Sequence, residues 1–167
     1  MVKKFSASLK TLEKSEVFKK WRKKDKESYL ASCFTILGIK NDEYLADGIE
    51  WQIDYYSPSK DVMTSFLVSD NVEIREGEKI LKDETAPIKE LNVNLVKVDL
   101  IECIEKIRKK YKEEYPEKII SIAQNLDKVV WNITFLTTSF NVLNVKIDAE
   151  NGNFLSETIK SVIEFKK

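Results

Sequence analysis

Apolar and polar residues alternate along two segments of the chain, IEWQIDYYS at residues 49–57 and VVWNITFL at residues 129–136. Alternation with a period of two is typical of a β-strand that buries one face. Each segment leads through a short turn into a second apolar run, VMTSFLV at 62–68 and FNVLNVKID at 140–148. The pattern therefore predicts two β-hairpins, each with a Trp-x-Ile sequence in its first strand.

A helical pattern precedes each hairpin. Ser15 is a good N-cap for SEVFKKWRKKDKE (15–27), where apolar residues recur three and four positions apart. Asp99 holds the same position before LIECIEKIRKKYKEEY (100–115), which carries a second apolar stripe and is expected to end before Pro116. The sequence thus predicts one helix in each half of the chain.

Further strand candidates lie on either side of the hairpins. EKIISIAQNL (117–126) is predicted to be a strand, whereas SYLASCFTILG (28–38) is readable as a strand or as more helix. After each hairpin a turn leads into a short candidate strand, VEI (72–74) or FLSETI (154–159). The order of elements is therefore the same in the two halves.

This repeated order predicts an α+β fold made of two tandem repeats, each a helix packed on an antiparallel β-sheet of three or four strands. The first repeat covers residues 1–85 and the second residues 86–167. A unit with one helix and three strands has a small core, so the repeats are expected to pack as one compact unit. The residues expected to correspond are Trp51 and Ile53 with Trp131 and Ile133, and Phe66 and Val68 with Val145 and Ile147.

The composition is that of a folded protein, with 43% hydrophobic and 34% charged residues. The 28 basic residues balance 28 acidic ones, which argues against a protein whose main task is to coat nucleic acid or an anionic membrane. Cys33 and Cys103 lie in apolar surroundings, so two buried thiols are favoured over one disulfide.

The N-terminal sequence MVKKFSASLKTLEKSEVF is basic and has no apolar core of the kind that secretory signals contain. No run of apolar residues is long enough to span a bilayer. The chain as written is therefore expected to be cytoplasmic and without a membrane span, and extracellular if a leader has been removed. Composition leaves a homo-oligomer open.

The second half resembles the PepSY module, a cystatin-like α+β unit, most closely in residues 99–157. The hallmark of that module is a tryptophan-led strand and a returning strand that ends in Asp-Ala-x-x-Gly. The residues that carry the resemblance are Trp131, Ile133, Val145, Ile147, Asp148, Ala149 and Gly152. The first half keeps the tryptophan-led strand but has Ser69-Asp70-Asn71 in place of the Asp-Ala-x-x-Gly ending.

The resemblance implies a function without catalysis. PepSY-like modules inhibit or regulate peptidases or act on partners in the cell envelope, and no cofactor is predicted for this chain. The expectation is a non-catalytic protein-binding or regulatory module with a protein partner. The exposed sheet edges and the groove between the repeats are the expected contact surfaces, because an open edge accepts a strand from a partner.

The segment DAENGN (148–153) could suggest a calcium loop. An EF-hand loop needs oxygen ligands at positions 1, 3 and 5 and a glutamate at position 12. Counted from Asp148, position 5 is Gly152 and position 12 is Ile159, so the loop does not fit. Asn151-Gly152 predicts a tight turn instead, and no metal site is predicted.

Catalysis has few candidate groups in this sequence. There is no histidine, so the usual acid–base group and the commonest metal ligand are both missing. Neither cysteine has an evident base, and Glu50 and Asp54 are expected at a solvent-facing edge. Aromatic residues at strand spacing are expected in the core and not in a pocket. No catalytic or cofactor-binding residue is predicted.

The alternative function is binding of nucleic acid or another anionic surface through the basic helix at residues 17–26. Basic residues around an aromatic ring are the combination found in nucleic-acid grooves. A solvated helix face is favoured over this alternative, because Trp21 belongs to the apolar side of the helix. The residues of the alternative site are Lys19, Lys20, Arg22, Lys23 and Lys24.

Overall fold

The computed structural model describes residues 2–79 and 87–163 of the chain. The helices are α1 (Phe5–Lys14), α2 (Glu16–Lys24) and α3 (Leu100–Lys110), with a 3-10 turn at Val93–Leu95. The strands of the first half are β1 (Tyr29–Lys40), β2 (Glu43–Ala46), β3 (Trp51–Ser57), β4 (Val62–Val68) and β5 (Val72–Lys79). Those of the second half are β6 (Pro116–Asn125), β7 (Val129–Thr137), β8 (Asn141–Asp148) and β9 (Phe154–Ser161).

The strands form one antiparallel sheet. Its order is β5-β4-β3-β1-β6-β7-β8-β9, with β2 paired to β1 outside this path. The predicted fold class, two tandem repeats that each pack a helix on an antiparallel sheet, is therefore wrong: the protein is a β-rich fold on one large sheet. The cause is the pairing of β1 with β6, from Ser32 opposite Gln124 to Gly38 opposite Lys118. This pairing covers two strand edges that separate sheets would leave open.

The two predicted hairpins are confirmed, and their pairing agrees with the predicted correspondence between the halves. Residues 28–38, for which strand and helix were both open, lie almost entirely in β1. The short candidates VEI and FLSETI belong to the longer edge strands β5 and β9. The paired positions are Trp51 with Val68 and Ile53 with Phe66 in one hairpin, and Trp131 with Ile147 and Ile133 with Val145 in the other.

Two helices were predicted, and the described residues form a third. The side chain of Ser15 caps α2 by accepting a hydrogen bond from the Phe18 amide at 3.2 Å. Asp99 is the N-cap residue of α3, but its side chain does not form the predicted capping hydrogen bond. This helix ends at Lys110, and Pro116 begins the next strand. Helix α1 lacks the usual start signals, because Lys4 gives no side-chain cap and its first turn has no acidic residue.

The helices contribute to one core on one side of the sheet. Phe5 of α1 packs against Trp51 and Trp131, with ring centroids 5.9 and 6.2 Å away. The centroids of the two indole rings lie 6.1 Å apart. The Trp51 N–H donates a hydrogen bond to the Lys3 carbonyl, and the Trp131 N–H donates one to the Val98 carbonyl, both at 2.9 Å. The centre of the core therefore joins α1 to both hairpins.

Candidate functional site

The sheet has a second face, which no helix of the described residues covers. Cys33 pairs with Ile53 on one side and with Ala123 on the other, and all three are buried with the helices in the core. Because successive side chains of a strand point to opposite faces, Phe34 and Ile36 lie on the far side. We call this far side the open face.

Apolar side chains meet at the centre of the open face. Phe34 of β1 lies opposite Ile122 of β6, and Ile36 lies opposite Ile120. All four side chains are half-buried, and together they form the apolar patch. Contiguous apolar surface of this kind marks contact sites for proteins or other ligands.

A network of polar side chains borders the patch on the side of β7 and β8, and Lys146 joins it by donating to Asn144 Oδ1 at 3.1 Å. The Asn144 amide donates to Asn132 Oδ1 at 2.7 Å and to Thr134 Oγ1 at 2.9 Å. The Asn132 amide donates in turn to Gln124 Oε1 at 3.1 Å. Linked hydrogen bonds hold these side chains in defined positions. The border is therefore an ordered polar surface beside the patch.

Asp54 of β3 lies on the open face on the other side of the patch. Its side chain is buried, with 8% of the residue exposed, although the sequence placed it at a solvent-facing edge. Ser65 and Gln52 donate to Oδ1 at 2.6 and 3.0 Å, and Ser32 donates to Oδ2 at 3.0 Å. Glu50, the other carboxylate of that prediction, forms an ion pair with Lys3 at 3.7 Å.

A cleft of about 870 Å³ lies on the helix-covered side of the molecule. It runs between the start of α1, the β1–β2 turn and the start of α3, and most of its lining is apolar. Trp51 and Trp131 form its floor but are each only 1% exposed, which confirms the prediction that they belong to the core. The cleft is an indentation above the core.

The basic residues of the alternative site lie on α2. The Arg22 guanidinium donates to the carbonyls of Asp25 and Ser28 at 3.2 and 2.8 Å, and it also stacks over Phe18, Trp21 and Tyr55. Lys19 lies 3.9 Å from Glu16, whereas Lys20, Lys23 and Lys24 are exposed and make no such contacts. Arg22 thus has a structural role, and the anionic-surface alternative remains a prediction that now rests on the lysines.

Replacing Arg22 by alanine is expected to lower the free energy of unfolding by about 2 kcal/mol, because charged hydrogen bonds and cation–π contacts are lost together. Urea denaturation followed by circular dichroism measures this change. Lys23→Ala is the matched control on the exposed side of the same helix and should change stability by less than about 0.5 kcal/mol. Equal effects of the two substitutions would contradict the structural role of Arg22.

The thiols are free and buried, as predicted. Burial raises the pKa of Cys103 to about 12, with a smaller contribution from nearby Glu102. Burial also raises the pKa of Cys33, and the charge of Asp54 adds to that rise. Since the thiolate is the reactive form, both groups are poor nucleophiles near neutral pH.

The segment DAENGN forms the predicted turn. Asp148 Oδ1 accepts from the Glu150 amide at 2.9 Å, and the Asp148 carbonyl accepts from the Gly152 amide at 2.8 Å. Gly152 has a φ of +81°, a region that favours glycine. Within residues 2–79 and 87–163, no three His, Cys, Asp or Glu side chains are grouped closely enough to hold a metal ion.

The two edge strands of the sheet differ in character. Strand β5 carries Glu73, Arg75 and Glu76, and charges on an edge discourage strand addition. Strand β9 exposes apolar side chains, with Leu155 at 43% and Ile159 at 48% exposure. Contact through these edges or through the groove between the halves remains a prediction.

In the part of the chain that the structure describes, no helix combines the length and hydrophobicity needed to cross a bilayer.

The sequence matches no protein-family model and no curated protein. Among solved structures, the chain is similar to a protein from Clostridium difficile 630 described as a "putative lipoprotein". The TM-score is 0.53 at 13% identity, and the match covers 87% of this chain and 91% of the other. At this identity the similarity shows a shared fold and nothing about function. The PepSY-like resemblance remains a prediction.

The open face was not predicted from the sequence, although the sequence contains a signal for it. In SYLASCFTILG and EKIISIAQNL, apolar residues occupy both alternating sets of positions. A strand that is apolar on both sides is either covered on both sides or displays apolar surface. Here the helices cover one set, and the other set forms the apolar patch.

Proposed function

We propose that this chain is a non-catalytic binding module that recognises a protein partner through the open face. The observation that carries this proposal is the apolar patch on the two central strands, bordered by ordered polar side chains. Apolar centres with polar rims and few charges are typical of the buried parts of protein interfaces. An exposed sheet face also suits a protein surface better than a small molecule, which binds in a concave pocket.

Two further observations favour a particular class of partner. The resemblance to PepSY modules favours a peptidase or an envelope component, and the similar structure carries the description "putative lipoprotein". Both favour a partner at the cell envelope and thus a site of action outside the cytoplasm. The regulatory role belongs to the same proposal.

Replacing Phe34 by glutamate is expected to abolish partner binding, because it places a charge at the centre of the apolar patch. The measurement is affinity capture from a lysate of the source organism at low and high salt, with mass spectrometry of the retained proteins. Phe140→Glu is the matched control, since Phe140 lies in the β7–β8 turn and is 63% exposed.

The proposal is supported if the native chain and Phe140→Glu retain the same protein at both salts and Phe34→Glu loses it. Retention of that protein by a folded Phe34→Glu variant would exclude the open face as the binding site. Nucleic acid recovered only at low salt would favour the lysines of α2 instead.

A further inference from the structure

Asp54 is an acidic group set into the open face. Its hydrogen bonds come from two hydroxyl groups and one amide, all of them neutral donors. None of the described lysine or arginine side chains lies within ion-pair distance of it. A buried carboxylate is normally paired with a cation, so this arrangement leaves a charge without its usual partner.

The nearest cation along the same row of the sheet is Arg75. Asp54 lies opposite Ser65, and Ser65 lies opposite Arg75 on the edge strand β5. Arg75 is exposed and forms no ion pair with a described residue. Along this row, the described residues therefore provide no cation that pairs with Asp54.

Asp54 is next to the apolar patch. Asp54 pairs with Ser32 of β1. Phe34 lies two residues further along β1 and pairs with Gln52. Diagonal neighbours on one face of a sheet are about 7–8 Å apart. An acidic site and an apolar site thus lie side by side at the spacing of alternate residues in an extended segment.

We propose that the partner presents a basic side chain, arginine or lysine, that binds Asp54 beside an apolar side chain that packs on the patch. This inference rests on the proposed function and specifies its partner. A cation over Asp54 would form a charge-assisted hydrogen bond in a region of reduced dielectric, where such contacts are stronger than in bulk water. Arginine is also among the residues that dominate binding energy at interfaces.

The test uses the full chain and a library of random peptides displayed on phage. Selected peptides are expected to combine Arg or Lys with a nearby apolar residue. Asp54→Asn should bind them about tenfold more weakly or worse, because it removes the charge and keeps the shape. Its amide oxygen can still accept from Ser65, and its amide nitrogen can donate to the Ser32 hydroxyl, so the variant is expected to fold.

Arg75→Gln is expected to have the opposite effect on peptide binding. It removes the nearest competing cation from an exposed position, and it should tighten the binding of the same peptides about twofold. Thermal unfolding of both variants separates loss of binding from loss of fold. Glutamine or citrulline in place of the basic residue of a selected peptide should weaken its binding to the native chain as much as Asp54→Asn does.

The outcomes distinguish this inference from the proposed function. Peptides without a basic residue that lose binding to Phe34→Glu but bind Asp54→Asn normally would overturn the inference and leave the open face as a binding site. Peptides insensitive to both substitutions would overturn both. Failure to select any peptide, or dimerisation of the chain through the open face in sedimentation experiments, would also overturn the inference.

Discussion

Replacing Trp131 by alanine is expected to lower the free energy of unfolding by about 4 kcal/mol, a large part of the stability of an ordinary domain. The indole is 1% exposed and packs against Trp51 and Phe5 at the centre of the core. Its removal would leave a cavity and leave the Val98 carbonyl without its hydrogen-bond donor. Urea denaturation followed by circular dichroism measures the change.

Trp131→Phe is the control, because it keeps an aromatic ring and loses only the donor and part of the volume. A loss of about 1–2 kcal/mol is expected for this variant. The comparison also tests the role of the cleft, whose floor includes Trp131. If Trp131→Ala lowered the free energy of unfolding no more than Trp131→Phe does, the indole would line the cleft without being a central element of the core.

The local elements of this fold were predictable because their signals are local. Trp51 and Ile53 alternate with polar residues, and the same alternation around Trp131 predicted the first strand of the second hairpin correctly. Ser15 marked the start of α2 because its side chain forms the cap. Helix α1 has no such cap, so its start was invisible to the same reasoning.

The fold class was wrong because it depends on a contact between distant residues. Ser32 lies opposite Gln124. The local sequence around either residue does not predict which strand pairs with β1 or with β6. Alternation predicts the buried face of a strand, but both edges of a strand carry the same backbone groups. Two separate sheets and one joined sheet therefore have the same local pattern.

The open face was not predicted for a related reason. Asp54 was placed at a solvent-facing edge because carboxylates are rarely buried, yet Ser32, Gln52 and Ser65 surround it in three dimensions. Only one of these residues, Gln52, is close to it in sequence. A site assembled from neighbouring strands becomes visible only when the strand order is known.

Expressing residues 1–85 and 86–167 as separate chains is expected to abolish cooperative folding of both. Each piece would expose a long strand, β1 or β6, with apolar side chains on both faces, and Phe5 would lose its contact with Trp131. The Leu91 amide, which donates to the Leu30 carbonyl at 2.8 Å, would lose its acceptor as well. Circular dichroism melts and the dispersion of amide NMR signals measure the result.

An equimolar mixture of the two pieces is the control for this experiment. If the joined sheet is the folding unit, the mixture should recover a single cooperative transition and dispersed signals, because β1 and β6 can pair again without a covalent link. A piece that unfolded cooperatively alone would instead be an independent domain with the predicted boundary at residues 85 and 86. The pairing of β1 with β6 would then be an interface between two separately folded domains. The open face spans that pairing, so both domains would contribute to it.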